Sequence, residues 1–191
     1  MKCGQPLREE EREYCEDCTR HSRAYEQGRS LWIHGGRVSH AIYQFKFHNK
    51  RYYAGIFAEE TAARYGGWMS RCKIEEIIPV PLHPSRRRKR GFNQAELLAE
   101  EIGRRTGIHV NPKVVYRIRN TRPQKELDDR ERYQNLKGAF GVSASWTAKK
   151  NVLLVDDIYT TGSTIDRIAR LLKKAGVQNV YFFTISIGQG L

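Results

Sequence analysis

The feature that most constrains this chain is an uninterrupted apolar run, Val152-Leu-Leu-Val155, followed at once by Asp156 and Asp157. Four apolar residues without alternation suit a strand covered on both faces, as in the middle of a parallel sheet. Beyond it, Ile165, Ile168, Ala169, Leu171 and Leu172 recur at helical spacing up to Gly176, and Val180-Tyr-Phe-Phe-Thr-Ile185 supplies another strand. Strand, helix, strand in that order is a βαβ unit, so the class is α/β with a parallel sheet.

Between strand and helix lie Thr160, Thr161, Gly162, Ser163 and Thr164. A helix start leaves backbone N–H groups unpaired and carries partial positive charge, which attracts phosphate. Gly162 permits close backbone approach, and the four hydroxyls add donors. Ser163 with Asp166 three residues on reads as a capping box. Asp156 and Asp157 would repel a bare phosphate, so their presence implies a sugar whose hydroxyls they accept. The other phosphate signatures, G-x-x-x-x-G-K-[ST] and G-x-G-x-x-G, occur nowhere in the chain.

Earlier segments supply the remaining elements. A helix is predicted from about Tyr53 to Tyr65, broken by Gly66-Gly67. Ile77-Ile-Pro-Val-Pro81 reads as a short strand, residues 93–105 as a helix capped near Gly107, and Val114-Val-Tyr116 as a strand. Residues 37–53 carry Arg37, Lys46, Lys50 and Arg51 with no acid, interleaved with Tyr43, Phe45, Phe47, Tyr52 and Tyr53. Their partial alternation is strand-like, which would send about half of the aromatics to the core. Basic charge beside aromatic faces is also how sequence-tolerant single-strand binding is built. Arg86-Arg-Arg-Lys-Arg90 reads as a basic loop of five charges in five residues. Part would face a pocket and part, including Arg88 and Lys89, would face outward.

The chain has 34 Lys and Arg against 21 Asp and Glu, a net charge of +13, which favours polyanionic partners or phosphate-rich ligands. No segment has the roughly 20 apolar residues of a membrane span, and no signal-type stretch opens the sequence, so a cytoplasmic location is expected. In a reducing compartment, cysteines point to metal more than to disulfides. Cys15-Glu-Asp-Cys18 is a C-x-x-C knuckle, with Cys3 before it and His21 after it as a substitute ligand. Cys72 stands alone and reads as a small buried apolar residue. Residues 1–30 are polar and need a staple to fold. Residues 31–191 form the main domain.

The segment Val152-Leu-Leu-Val-Asp-Asp-Ile-Tyr-Thr-Thr-Gly-Ser-Thr164 resembles the phosphoribosyl pyrophosphate (PRPP) signature of type I phosphoribosyltransferases. With Val80-Pro-Leu-His-Pro84, Arg90-Gly-Phe-Asn-Gln-Ala95, Asn135-Leu-Lys-Gly-Ala-Phe140 and the cysteines, the chain resembles the ComF family of competence-associated, phosphoribosyltransferase-like proteins. The resemblance implies a phosphoribosyltransferase-like parallel sheet flanked by helices, with a small N-terminal zinc-ribbon-like segment. It implies PRPP bound with Mg²⁺: ribose on Asp156 and Asp157, 5′-phosphate on residues 160–164, and diphosphate on Arg86, Arg87, Arg90 and Gly91. A mobile loop over the site would come from residues 121–132. It further implies a structural Zn²⁺ on Cys3, Cys15 and Cys18, and a role in DNA uptake with single-stranded DNA and a ComFA-like helicase as partners. Lys46, Lys50, Arg51, Arg88 and Lys89 are the DNA-contact candidates. The alternative is an active phosphoribosyltransferase, although no base-recognition segment is evident. The family carries four cysteines, and the missing one would fall one position before Met1, so a natural start upstream of Met1 is expected.

Overall fold

The computed structural model describes residues 2–7, 13–119, 136 and 138–188. The stretch 121–132, expected to form a loop over the site, lies outside these residues, as do Asn135 and Lys137 of the quoted family segments.

Five parallel strands make the central sheet: β1 (Gln27–Ile33), β2 (Glu76–Pro79), β3 (His109–Val110), β6 (Asn151–Tyr159) and β7 (Asn179–Ile187), in the order β1-β7-β6-β2-β3. A separate antiparallel ribbon joins β4 (Val115–Arg117) to β5 (Phe140–Val142). The helices are α1 (Glu16–Arg20), α2 (Gly36–Phe47), α3 (Tyr53–Arg71), α4 (Pro84–Arg90), α5 (Gln94–Thr106) and α6 (Ser163–Lys174). β1 straddles residue 30, so the last residues of the polar N-terminal segment are already in the sheet.

The apolar run of β6 divides between two cores because successive side chains of a strand point to opposite faces. Val152 and Leu154 meet Ile165, Ile168, Ala169 and Leu172 of α6 on one side. Leu153 and Val155 meet α3 and α5 on the other, among Phe57, Leu98 and Ile102. Both faces are thus covered, as the sequence pattern requires. No helix among the described residues is long and apolar enough to cross a membrane.

Four expectations change. The segment containing Tyr43, Phe45 and Phe47 is helix, with Ile42 and Phe45 buried at i, i+3 spacing and Tyr43 and Phe47 outside. Helix α3 does not stop at Gly66-Gly67 but continues to Arg71. Burial of Trp68 and Met69 past the glycines offsets the cost of about 1 kcal/mol per helical glycine. The basic run 86–90 is a helical turn rather than a loop. Pro84 stands at its first position, His83 accepts the Ser85 N–H, and Gly91 closes it at φ 82°. Its cations crowd the helix C-terminus, where the dipole favours them. Finally, Ser163 does not cap α6. The N-cap position is Gly162 in the left-handed region, and the Ser163 hydroxyl bonds Thr161 at 2.9 Å. Asp166 is buried and accepts from the Ala24 N–H at 2.7 Å and from Arg170 at 2.9 Å.

Candidate functional site

The strand order locates the site. From β2 the chain moves outward to β3, whereas from β6 it moves the other way to β7. β2 and β6 are neighbours, so a crevice opens between them at their carboxyl ends, where ligands of open α/β sheets bind. Pairing of β2 with β6 ends at Pro79 and Val155, while β6 stays on β7 as far as Tyr159. Asp156 and Asp157 therefore belong to a strand still fixed on one edge and released on the other. They lie in the strand rather than after it, because β7 is long enough to hold them.

The two carboxylates that the sequence treats alike face opposite ways. Asp156 is partly buried and lines a hollow with Ile158, Tyr159, Thr160, Gly162, Ser163 and Thr164. Burial and then the neighbouring Asp157 charge raise its pKa to about 7, and the Asp157 N–H donates to it at 2.8 Å. Asp157 is buried and committed elsewhere. It pairs with Lys46 at 2.7 Å and accepts from the Gln94 amide at 2.5 Å.

The loop after β6 is shaped by an aromatic stack. Gly162 has φ 69°, and a Cβ there would lie 2.3 Å from the Tyr159 hydroxyl. Tyr159 stacks on Phe182 at 4.9 Å with 7° between the rings, and its hydroxyl is 2.7 Å from that of Tyr25. Glycine is required here both by its backbone angle and by the ring behind it. Thr161, Ser163 and Thr164 thus surround a tight turn into the start of α6.

From β2, the segment Arg90-Gly-Phe-Asn-Gln-Ala95 forms the opposite wall. Asn93 caps α5 by accepting the Ala95 N–H, and donates to the Val80 carbonyl at 3.1 Å, fixing the helix start to the strand end. Phe92 is buried under the Arg51 guanidinium at 4.9 Å. Gln94 accepts from Arg90 and donates to Asp157, so Arg90, Gln94, Asp157 and Lys46 form one polar chain. Arg90 also lies 4.9 Å over the Phe47 ring, and burial lowers its pKa. Arg117, over Phe140, adds positive charge near Asp156, and burial lowers its pKa to about 10.

The basic turn is sorted by exposure. Arg86 and Arg90 are half-buried, whereas Arg87, Arg88 and Lys89 are exposed, with Arg87 also paired to Glu96 at 3.2 Å. Lys50 and Arg51 are exposed on the connection from α2 to α3. Lys46, a DNA-contact candidate on sequence grounds, is instead drawn in as the partner of Asp157. The residues that sequence reasoning missed are Gln94, Tyr25, Tyr159 and Arg23. Gln94 stood inside a quoted motif, but nothing local signalled its partner 63 residues away.

A second cluster packs against Tyr159 and Ile165, on either side of the 160–164 turn. The thiols of Cys3, Cys15 and Cys18 converge within 4.8 Å of one another, with Cys3 and Cys15 at 3.4 Å. Sulfurs on one tetrahedral zinc lie about 3.8 Å apart for Zn–S of about 2.3 Å, so this donor set fits a metal such as zinc. Hydrogen bonds from Cys3 lower the Cys18 pKa to about 6, while the bond with Cys18 and burial raise that of Cys3. The trio thus favours one thiolate. His21 is exposed and bonds Asp17 at 3.1 Å, apart from the cluster. Cys72 is partly buried against Ile74 and Tyr181, in line with a packing role.

Residues 104–186 match the family described as phosphoribosyl transferase domain. Competence protein F of Haemophilus influenzae is 34% identical over 173 residues, spanning 88% of this chain and 76% of that protein. Competence protein ComFC of Streptococcus pneumoniae is 27% identical over 163 residues, 82% of this chain and 66% of that one. DNA utilization protein YhgH of Escherichia coli (strain K12) is 38% identical over 106 residues, 56% of this chain and 46% of that protein.

Proposed function

Because this chain belongs to the family of Competence protein F and ComFC and carries a phosphoribosyl transferase domain, we propose that it binds a phosphoribosyl ligand, PRPP, and acts in DNA uptake. The observation that carries the reading is the pairing of Asp156 with the 160–164 turn at the β2/β6 crevice, opposite Arg90. A carboxylate suits vicinal ribose hydroxyls, and a glycine turn into a helix N-terminus suits the 5′-phosphate. Arg86 and Arg90, with the Gly91 backbone, are suited to the diphosphate, since the guanidinium fork matches phosphate oxygens in pairs. Mg²⁺ would enter with the diphosphate and help neutralise its charge, without needing a dedicated set of protein ligands. Asp157 serves the site indirectly by orienting Lys46 and Gln94.

Single-stranded DNA would run along the exposed cations Lys50, Arg51, Arg88 and Lys89, beside the exposed rings of Tyr43, Phe47 and Tyr52. Stacking on such rings tolerates any base. A ComFA-like helicase is the expected partner on that strand, and a cytoplasmic location fits both. The relatives' names support the DNA role.

Calorimetric titration with PRPP and Mg²⁺ tests the ligand. Asp156→Asn is expected to weaken binding at least tenfold while leaving DNA affinity within twofold. No PRPP binding by the parent chain would overturn the reading. Pyrophosphate release on adding a panel of bases would identify an active transferase instead of a binding module. Fluorescent single strands titrated at two salt concentrations test the second part. Affinity should fall with a log–log slope of about −0.7 per phosphate contacted, and absence of binding at low salt removes the DNA role.

A further inference from the structure

We propose that Arg23 and Tyr25 are positioning residues for the 160–164 turn, and that through them metal occupancy at Cys3, Cys15 and Cys18 controls its affinity for a phosphorylated sugar. The inference rests on the phosphate role given to that turn above. Its basis is a set of bonds made by three consecutive residues. Arg23 donates to the Thr161 carbonyl at 2.9 Å. The Ala24 N–H donates to Asp166, in the first turn of α6, at 2.7 Å. The Tyr25 hydroxyl bonds that of Tyr159, the ring against which Gly162 is packed. The turn is thus held from below at its middle, at the helix it opens, and at its supporting ring.

Two of these residues, Arg23 and Tyr25, are tied to the cysteines. Arg23 pairs with Asp17 at 2.6 Å, and Asp17 stands inside the Cys15–Cys18 knuckle. Tyr25 packs in one cluster with Cys3, Cys15 and Cys18. Helix α1, which starts inside the knuckle with Cys15 at its N-cap, has five residues and buries none of them. So short a helix has no intrinsic stability, and its order depends on what its cysteines hold. With a metal bound, Asp17 stays fixed and Arg23 keeps its grip on Thr161. Without it, the knuckle loosens and an Arg side chain only 9% exposed loses its carboxylate. The cost of leaving that charge unpaired draws Arg23 away from the turn.

The test uses the full chain stripped with a chelator and reloaded with Zn²⁺. Zinc stoichiometry, hydrogen exchange of amides 159–166 and calorimetric affinity for ribose 5-phosphate are measured in both states. One zinc per chain is expected to slow exchange of those amides and to tighten ribose 5-phosphate at least about fivefold, the lower end of ordinary coupling between sites. Asp17→Asn keeps every thiol, and Tyr25→Phe keeps the ring on Phe182. Both should bind zinc in the same stoichiometry while the ratio of the two affinities falls to within twofold of one. A merely structural role would lower both affinities together and leave that ratio unchanged. Failure to bind zinc, or zinc binding with exchange and affinity unchanged, overturns the coupling. If zinc slows exchange but ribose 5-phosphate binds in neither state, the phosphate role falls and the coupling stands.

Discussion

Gly162→Ala is the sharpest probe of how the turn after β6 is built. Its φ of 69° costs a residue with a Cβ about 1–2 kcal/mol. The added methyl would also meet the Tyr159 ring, at 2.3 Å from Oη and 2.6 Å from Cζ. That ring cannot withdraw, being 3% exposed, stacked on Phe182 and bonded to Tyr25. Forcing extra volume into such packing costs about 1–3 kcal/mol, so the total is about 2–5 kcal/mol. Most domains have only about 5–15 kcal/mol to lose. Urea denaturation at constant m-value measures the loss. The two contributions separate in a Tyr159→Leu background, where the offending ring atoms are gone and only the backbone cost of about 1–2 kcal/mol should remain. A cost below about 1 kcal/mol in the parent chain, or equal costs in both backgrounds, would refute this account of the turn.

Two further perturbations test the carboxylate pair. Lys46→Met leaves the buried Asp157 charge with Gln94 alone and should destabilise the fold by about 3–5 kcal/mol. Thermal or urea unfolding checks it, and adding Asp157→Asn should restore most of the loss. Asp156 holds its proton more tightly folded than unfolded, since burial and Asp157 raise its pKa to about 7. Its stabilising contribution is complete below the unfolded value of about 4 and is lost as pH rises through about 7. Asp156→Asn should therefore gain stability relative to the parent chain between those limits and level off above them; a difference that is flat with pH would contradict the assignment.

The sheet was legible because its central strands are marked by composition: Val152 to Val155 and Val180 to Ile185 are apolar on both faces, and α6 repeats at helical spacing. The turn was legible for the same local reason, since hydroxyls, glycine and carboxylates stand within nine residues. What was not legible depends on distant partners. Nothing near Gly66-Gly67 announces that Trp68 and Met69 will be buried beyond them. Nothing near Asp157 says that it turns from its neighbour toward Lys46, 111 residues away. Asp166 looked like a local capping partner, yet its bond goes to the backbone of Ala24, 142 residues back. The aromatics of α2 misled because an alternating pattern over so few residues fits either period.

The order of strands has a consequence for how the chain is made. β1 is the first strand synthesised, and its ladder partner is β7, with Gln27 against Tyr181. At translation speeds of about 5–20 residues per second, β1 waits on the order of ten seconds or more for its neighbour to emerge. For most of that interval the early cysteines have neither Tyr159 nor α6 to pack against. An ion captured before the last strand arrives would act on a nascent chain, so the availability of zinc during translation, and not only afterwards, should govern how much properly assembled protein a cell accumulates.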